Sequence, residues 1–212
     1  SISGTYQGPD GGDTAEVSVT QSIVVRAPGE APIGIDCGGG HYDEVPVIDG
    51  LPFLPTEDQR ADIEFGSVNV QPVPEGDRWW LDGGNVTVDP APNAATSDGV
   101  TEIDDTEADI LYRSEWWAAD EYTVTVNIEN GTYDVVFHLA EIVFEDPGTR
   151  VFGATVNGET AFEGVDLADE HGTGVATTRT LEGVEVTDGT VEIVLASSVE
   201  NPKCSGIAIR EA

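Results

Sequence analysis

The stretch "NGTYDVVFHLAEIVFEDPGTRVFGATVNGE", residues 130 to 159, decides the fold. Its apolar residues are largely β-branched or aromatic and fall in two runs, 131–144 and 150–158, which read as strands. An Asn-Gly pair stands near each end. Asn and Gly tolerate positive φ at both centres of a type I′ turn, so Asn130-Gly131 and Asn157-Gly158 predict tight hairpins. Working outward, the same composition recurs in "IGID" (33–36), "ADIEFGSVNV" (61–70), "EYTVTVNI" (121–128), "VEVTDGTVEIVLASS" (184–198) and "CSGIAIRE" (204–211). Asp188-Gly189 predicts a third hairpin. No long amphipathic helix pattern interrupts these runs. Many short strands separated by turn signals predict an all-β chain folded as an antiparallel β-sandwich.

The sandwich domain is expected over residues 33–212. Residues 1–32 read as an N-terminal arm. "SISGTYQGPDGGDT" is rich in Gly and polar residues, and "APGEAP" at 27–32 is a linker. Between them, "AEVSVTQSIVVR" at 15–26 places Val17, Val19, Ile23 and Val25 on one face, a strand with no evident partner nearby. Residues 74–109 are Pro-, Gly- and Asp-rich and weakly patterned, and loops of this length are usually functional or disordered.

Charge is the least ordinary property of the chain. It carries 41 acidic residues against seven arginines and one lysine, a net charge of −33. Such a shell repels itself at low ionic strength, whereas at 1 M salt the Debye length is only about 3 Å. This composition predicts a protein of a high-salt environment, of the haloarchaeal type; an acidic secreted protein of a mesophile is the other reading. It argues against nucleic acid as a partner, because the phosphate contribution would be repulsive. No run of 18 apolar residues is present, so membrane insertion is not expected.

Motifs for catalysis are missing. His41, His138 and His171 are scattered and form no metal-binding spacing. No nucleophile elbow, phosphate loop or dinucleotide fingerprint occurs, and no cofactor is expected. Asp104, Asp105, Glu107 and Asp109 in "TEIDDTEAD" have the donors for a structural calcium ion. They lack the glycine-spaced pattern of a dedicated loop, which favours a solvated acidic segment. Cys37 and Cys204 could close a long disulfide loop, worth roughly 3 to 5 kcal/mol, in an oxidising extracellular setting. Two unpaired buried thiols are the other reading.

The tryptophans come as two tandem pairs, Trp79-Trp80 and Trp116-Trp117. Adjacent side chains in a strand face opposite ways, so only one of each pair can be core. The other either packs at the sandwich edge or offers a stacking surface for a sugar ring.

Five motifs in this order, "IDCGGGHY", "ADILYRSEWW", the 130–159 stretch, "VDLADEHGTGVA" and "ENPKCSGIAI", together resemble the malectin and malectin-like domains. The resemblance covers residues 33–210, with a long insertion between Tyr42 and Leu111. It implies a jelly-roll-like (galactose-binding-like) β-sandwich that binds glucose-containing glycans without catalysis. It further implies sugar contacts from loop aromatics at one end, here Trp117, Phe144 and Trp79 or Trp80, and from one acid, Glu200. Val143 stands where the family has a second aromatic. Lys203 belongs to the family's "NPK" element beside the sugar site, where it can pair with a carboxylate or donate to a carbonyl or a ligand hydroxyl. Because the family's first-strand element lies near its last strand, the resemblance also makes a Cys37–Cys204 bridge geometrically reasonable. Asn85 ("NVT") and Asn130 ("NGT") are glycosylation acceptors by sequence. The expectation is a non-enzymatic carbohydrate-binding module of the cell surface or exterior. The alternative is a filament or surface-layer subunit that joins copies of itself through residues 15–26.

Overall fold

The computed structural model describes residues 2–6, 15–19, 31–38, 46–56, 86–96, 100 and 102–212. The expected strand at 61–70, His41, Trp79, Trp80 and Asn85 lie outside the described residues. In chain order the elements are β1 (Ile2–Tyr6), β2 (Ala15–Val19), β3 (Ile33–Asp36), β4 (Val47–Ile48), β5 (Leu51–Pro52), β6 (Val86–Asp89) and β7 (Asn93–Thr96). The short helix α1 (Asp109–Tyr112) leads into β8 (Ser114–Trp117), β9 (Glu121–Asn127), β10 (Gly131–Leu139), β11 (Val151–Val156) and β12 (Glu159–Val165). A second short helix, α2 (Leu167–Glu170), precedes β13 (Thr177–Val186), β14 (Thr190–Val199), β15 (Lys203–Cys204) and β16 (Gly206–Glu211).

Two antiparallel sheets face each other as the predicted sandwich. One has the order β13-β10-β16-β3 and the other β12-β11-β14-β9-β6. Strand alternation explains the core between them. Val135, Phe137, Leu139, Ile207 and Ile209 come from the first sheet and meet Val124, Val126, Phe152, Ile193 and Leu195 from the second. Phe162 fills the space between Phe137 and Phe152, edge-on to each ring. The outer face of the four-stranded sheet is covered as well. There Ala208 and partly buried Val136 pack under Leu51, Phe53, Ile103, Leu111 and Tyr112. Residues of the long insertion thus roof this sheet, so the end of β10 is buried on both faces.

Three sequence expectations are corrected. Only Asn157-Gly158 makes a tight hairpin, with φ of 48° and 79° joining β11 to β12. Asn130-Gly131 and Asp188-Gly189 instead carry the chain from one sheet to the other, since β9 and β14 belong to the five-stranded sheet and β10 and β13 to the four-stranded one. These two crossings brace each other. Gly189 N–H donates to Asn130 Oδ1 (2.8 Å), Asn130 Nδ2 donates to the Thr187 carbonyl (3.0 Å), and Ile128 N–H donates to the Gly189 carbonyl (2.9 Å). Second, the arm strand is not solitary: β2 pairs antiparallel with β1 over Ala15–Val19. Third, the 74–109 segment is not wholly loop, because β6 pairs with β9 and β7 with β8.

The cysteines are also corrected. Cys37 and Cys204 are neighbouring free thiols, both fully buried. Register sets Cys37 beside Ser205, whose carbonyl accepts the Cys37 N–H at 3.0 Å, rather than opposite Cys204. The Cys204 thiol turns to the Gly206 carbonyl at 3.2 Å. Burial pushes the Cys37 thiol well up, and its contact with Cys204 adds to the shift, so Cys37 is a protonated packing group.

Candidate functional site

Strand registers sort the loops into two ends. Leu139 pairs with Thr177, Val151 with Val199, Phe152 with Val165, Gly206 with His138 and Asp36 with Gly206. One end therefore gathers the connections at 140–150, 166–176 and 200–205, together with the end of β3 and the turn between β8 and β9. Trp117, Phe144, Glu200 and Lys203 all belong to this end. Asn130 lies at the other, where its side chain is occupied in joining the two sheet crossings.

The β8 segment reads Ser-Glu-Trp-Trp. Trp116 is buried in the core while Trp117 is half-buried, the division that alternation requires. Ser114 and Glu115 are buried too. Gly38 makes room for this strand: a Cβ there would lie 2.3 Å from the Ser114 Cβ.

The expected strand over 131–144 stops at Leu139, because Glu141 captures the chain that follows. Its Oε1 accepts the N–H groups of Val143 (2.9 Å) and Phe144 (3.1 Å). The turn is closed from outside by Thr173 Oγ1, which donates to the Phe144 carbonyl at 2.6 Å, and by Gly174 N–H, which donates to the Glu141 carbonyl at 2.8 Å. Phe144 is left half-buried and Val143 is 53% exposed. Beneath the Phe144 ring lies the Arg150 guanidinium, 4.8 Å from its centroid, within the range of a cation–π contact.

Lys203 stands behind this surface, not in it. It is fully buried, forms an ion pair with Glu115 and donates to the Ala140 carbonyl. It therefore meets a carboxylate and a carbonyl. Arg150 joins the same network, 3.4 Å from Glu115 and 3.2 Å from Glu141. Two carboxylates and two cations make a neutral buried quartet. Sequence reading missed Glu115, Glu141 and Arg150. The signal was a glutamate set inside an apolar run, in "SEWW" and again in "HLAEIVF".

Glu200 is exposed, with φ of +57°, and its Oε1 accepts from Asn201 Nδ2 at 2.8 Å. Of the proposed calcium ligands, Asp104, Asp105 and Glu107 are exposed. Asp109 accepts the Ile103 N–H (2.9 Å) and pairs with Arg113 (2.9 Å). Among the described residues no three His, Cys, Asp or Glu side chains converge as a metal site, and no helix is long and apolar enough to cross a membrane.

Comparison with known proteins places this architecture. The family model described as the malectin domain matches residues 34–207. A search of curated proteins finds no match. Among solved structures, a Bacteroides uniformis beta-glucuronidase is similar over 99% of this chain and 22% of its own, at 17% identity and a TM-score of 0.63. The ANX1 ectodomain from Arabidopsis thaliana is similar over 84% of this chain and 47% of its own, at 12% identity and a TM-score of 0.57. The plant receptor-like kinase ANX2 is similar over 62% of this chain and 41% of its own, at 16% identity and a TM-score of 0.53. The chain thus spans less than half the length of each of these proteins, and identities this low speak for the fold alone. With the family model running from β3 into β16, the chain belongs to the malectin domain family.

Proposed function

We propose that this domain binds carbohydrate without catalysis at the loop end of the sandwich. The observation that carries the reading is the pair of half-buried aromatics, Trp117 and Phe144, held at the same end as exposed Glu200. A partly exposed ring offers a face for the apolar side of a sugar, and a carboxylate accepts from its hydroxyls. Membership of the malectin domain family supports the same reading. A binding role rather than hydrolysis is supported by Glu115 and Glu141. Both are buried in ion pairs instead of flanking a cleft as an acid and a base. Glucose-containing glycans are the first ligands to try. The acidic surface and the ectodomain relatives support a place outside the cell in concentrated salt.

The test is titration of glucose disaccharides, then a broad glycan panel, against intrinsic tryptophan fluorescence in molar salt. A saturable change that Trp117→Ala and Phe144→Ala each weaken by about tenfold or more, the worth of one good stacking contact, is expected. Silence across the panel would sink the reading.

A further inference from the structure

The buried quartet touches both aromatic elements. Glu115 lies two residues before Trp117 on β8, and the Trp117 backbone pairs with that of Lys203 on β15. Lys203 donates to the Ala140 carbonyl at the start of the aromatic turn, Glu141 holds the Val143 and Phe144 N–H groups, and Arg150 supports the Phe144 ring. Arg150 is the one member bonded to both carboxylates. A route of direct contacts therefore runs from Lys203 through Glu115, Arg150 and Glu141 to Phe144.

All four members are buried, with Arg150 the most exposed at 6%. A low-dielectric interior makes each contact strong and each unpaired charge costly, so the members hold one another in a single arrangement. Arg150 reaches both carboxylates through one nitrogen, Nη1, and lays its planar guanidinium against the Phe144 ring, a stacking contact that a lysine could not reproduce.

We infer that Glu115, Glu141, Arg150 and Lys203 act as one positioning unit that sets the pose of Trp117 and Phe144 relative to each other. None of the four touches ligand. Together they pre-organise the surface that does, so its ordering cost is met on folding rather than on binding. This inference rests on the carbohydrate reading for its purpose, but not for its geometry.

The experiment uses the charge-balanced double variant Glu115→Leu with Lys203→Met. It leaves the Arg150–Glu141 pair intact and removes no group bonded to the Val143 or Phe144 amides. Hydrogen exchange is read at those two amides, with Val135 and Phe137 in β10 as the reference for the intact fold. The expected result is exchange about tenfold or more faster at 143 and 144, against unchanged protection in β10, as for a local opening. Glycan affinity should fall by about tenfold in parallel.

Unchanged protection at 143 and 144 would overturn the inference, because Glu141 alone would then hold the turn. If the double variant does not fold, Arg150→Lys carries the same test. It keeps the charge count and loses the planar guanidinium beneath the Phe144 ring. If the turn loosens as expected while the native protein binds no glycan, the positioning unit stands and the carbohydrate reading falls.

Discussion

His138 shows how a single residue couples burial to pH. It lies on the outer face of β10 under the roof of the insertion. Its Nδ1 is 2.7 Å from the Tyr112 hydroxyl and its ring meets Phe53 edge-on. Burial pushes its pKa down from 6.5 to about 4, Arg210 pushes the same way, and Asp49 opposes them. The sign follows directly. The unfolded chain takes up the proton below pH 6.5 and the folded protein only below about 4, so stability is complete above 6.5 and is lost as pH falls through that window. The loss amounts to roughly 3 kcal/mol at 1.36 kcal/mol per unit. Carboxylates titrate nearby in pH, so the measurement is a difference: denaturant midpoints at pH 7 and pH 4 for the native protein and for His138→Gln. The native protein should lose more between the two; equal losses would show that His138 titrates normally. Lys203 makes the complementary point. A chain that otherwise excludes lysine keeps one where a compact ammonium reaches both a carboxylate and the Ala140 carbonyl inside the core.

At the scale of elements, the two sheet crossings at the end opposite the aromatics depend on one side chain. Asn130 bonds both Gly189 N–H and the Thr187 carbonyl. Asn130→Ala removes both bonds at a partly solvated site and should cost about 1 to 3 kcal/mol in a denaturant titration. A cost near zero would mean that the crossings hold without it. The same residue marks the limit of what the sequence showed. Runs such as "EYTVTVNI" and "RVFGATVNG" were legible as strands because their β-branched residues suit a pleated surface. Asn-Gly pairs were legible as turns, since positive φ is a local property. Whether a turn joins neighbours in one sheet or leads to the opposite sheet is not local. It depends on which strands stand beside each end, and the backbone follows: Asn157 and Gly158 take positive φ, whereas Asn130 and Gly131 do not. Likewise β6 and β7 sit in a stretch of weak pattern and owe their form to pairing with β9 and β8. At the site, alternation required that only one of Trp116 and Trp117 be core, and the structure makes it Trp116 and leaves Trp117 half-buried. The partners of Glu115 and Glu141 come from Arg150 and Lys203 on other segments, beyond the reach of any local reading.

At the scale of the whole molecule the charges divide into two populations that answer to salt differently. The buried quartet is neutral and closed to solvent ions, so screening barely reaches it. The net charge of −33 lies outside the quartet, and among the described residues most of the other carboxylates are exposed or half-buried. Their repulsion acts across a Debye length of about 10 Å at 0.1 M salt, and about 3 Å at 1 M. Most pairs of surface carboxylates therefore pass from interacting to screened within that range. The denaturant midpoint should rise steeply between about 0.1 M and 1 M potassium chloride and more slowly above it, as screening saturates. Sucrose at matched osmolality separates the causes, because it stabilises by exclusion from the protein surface and leaves charge repulsion in place. A rise in chloride that sucrose does not reproduce assigns the effect to charge. Equal rises in both would show that the acidic shell contributes little to the folding balance.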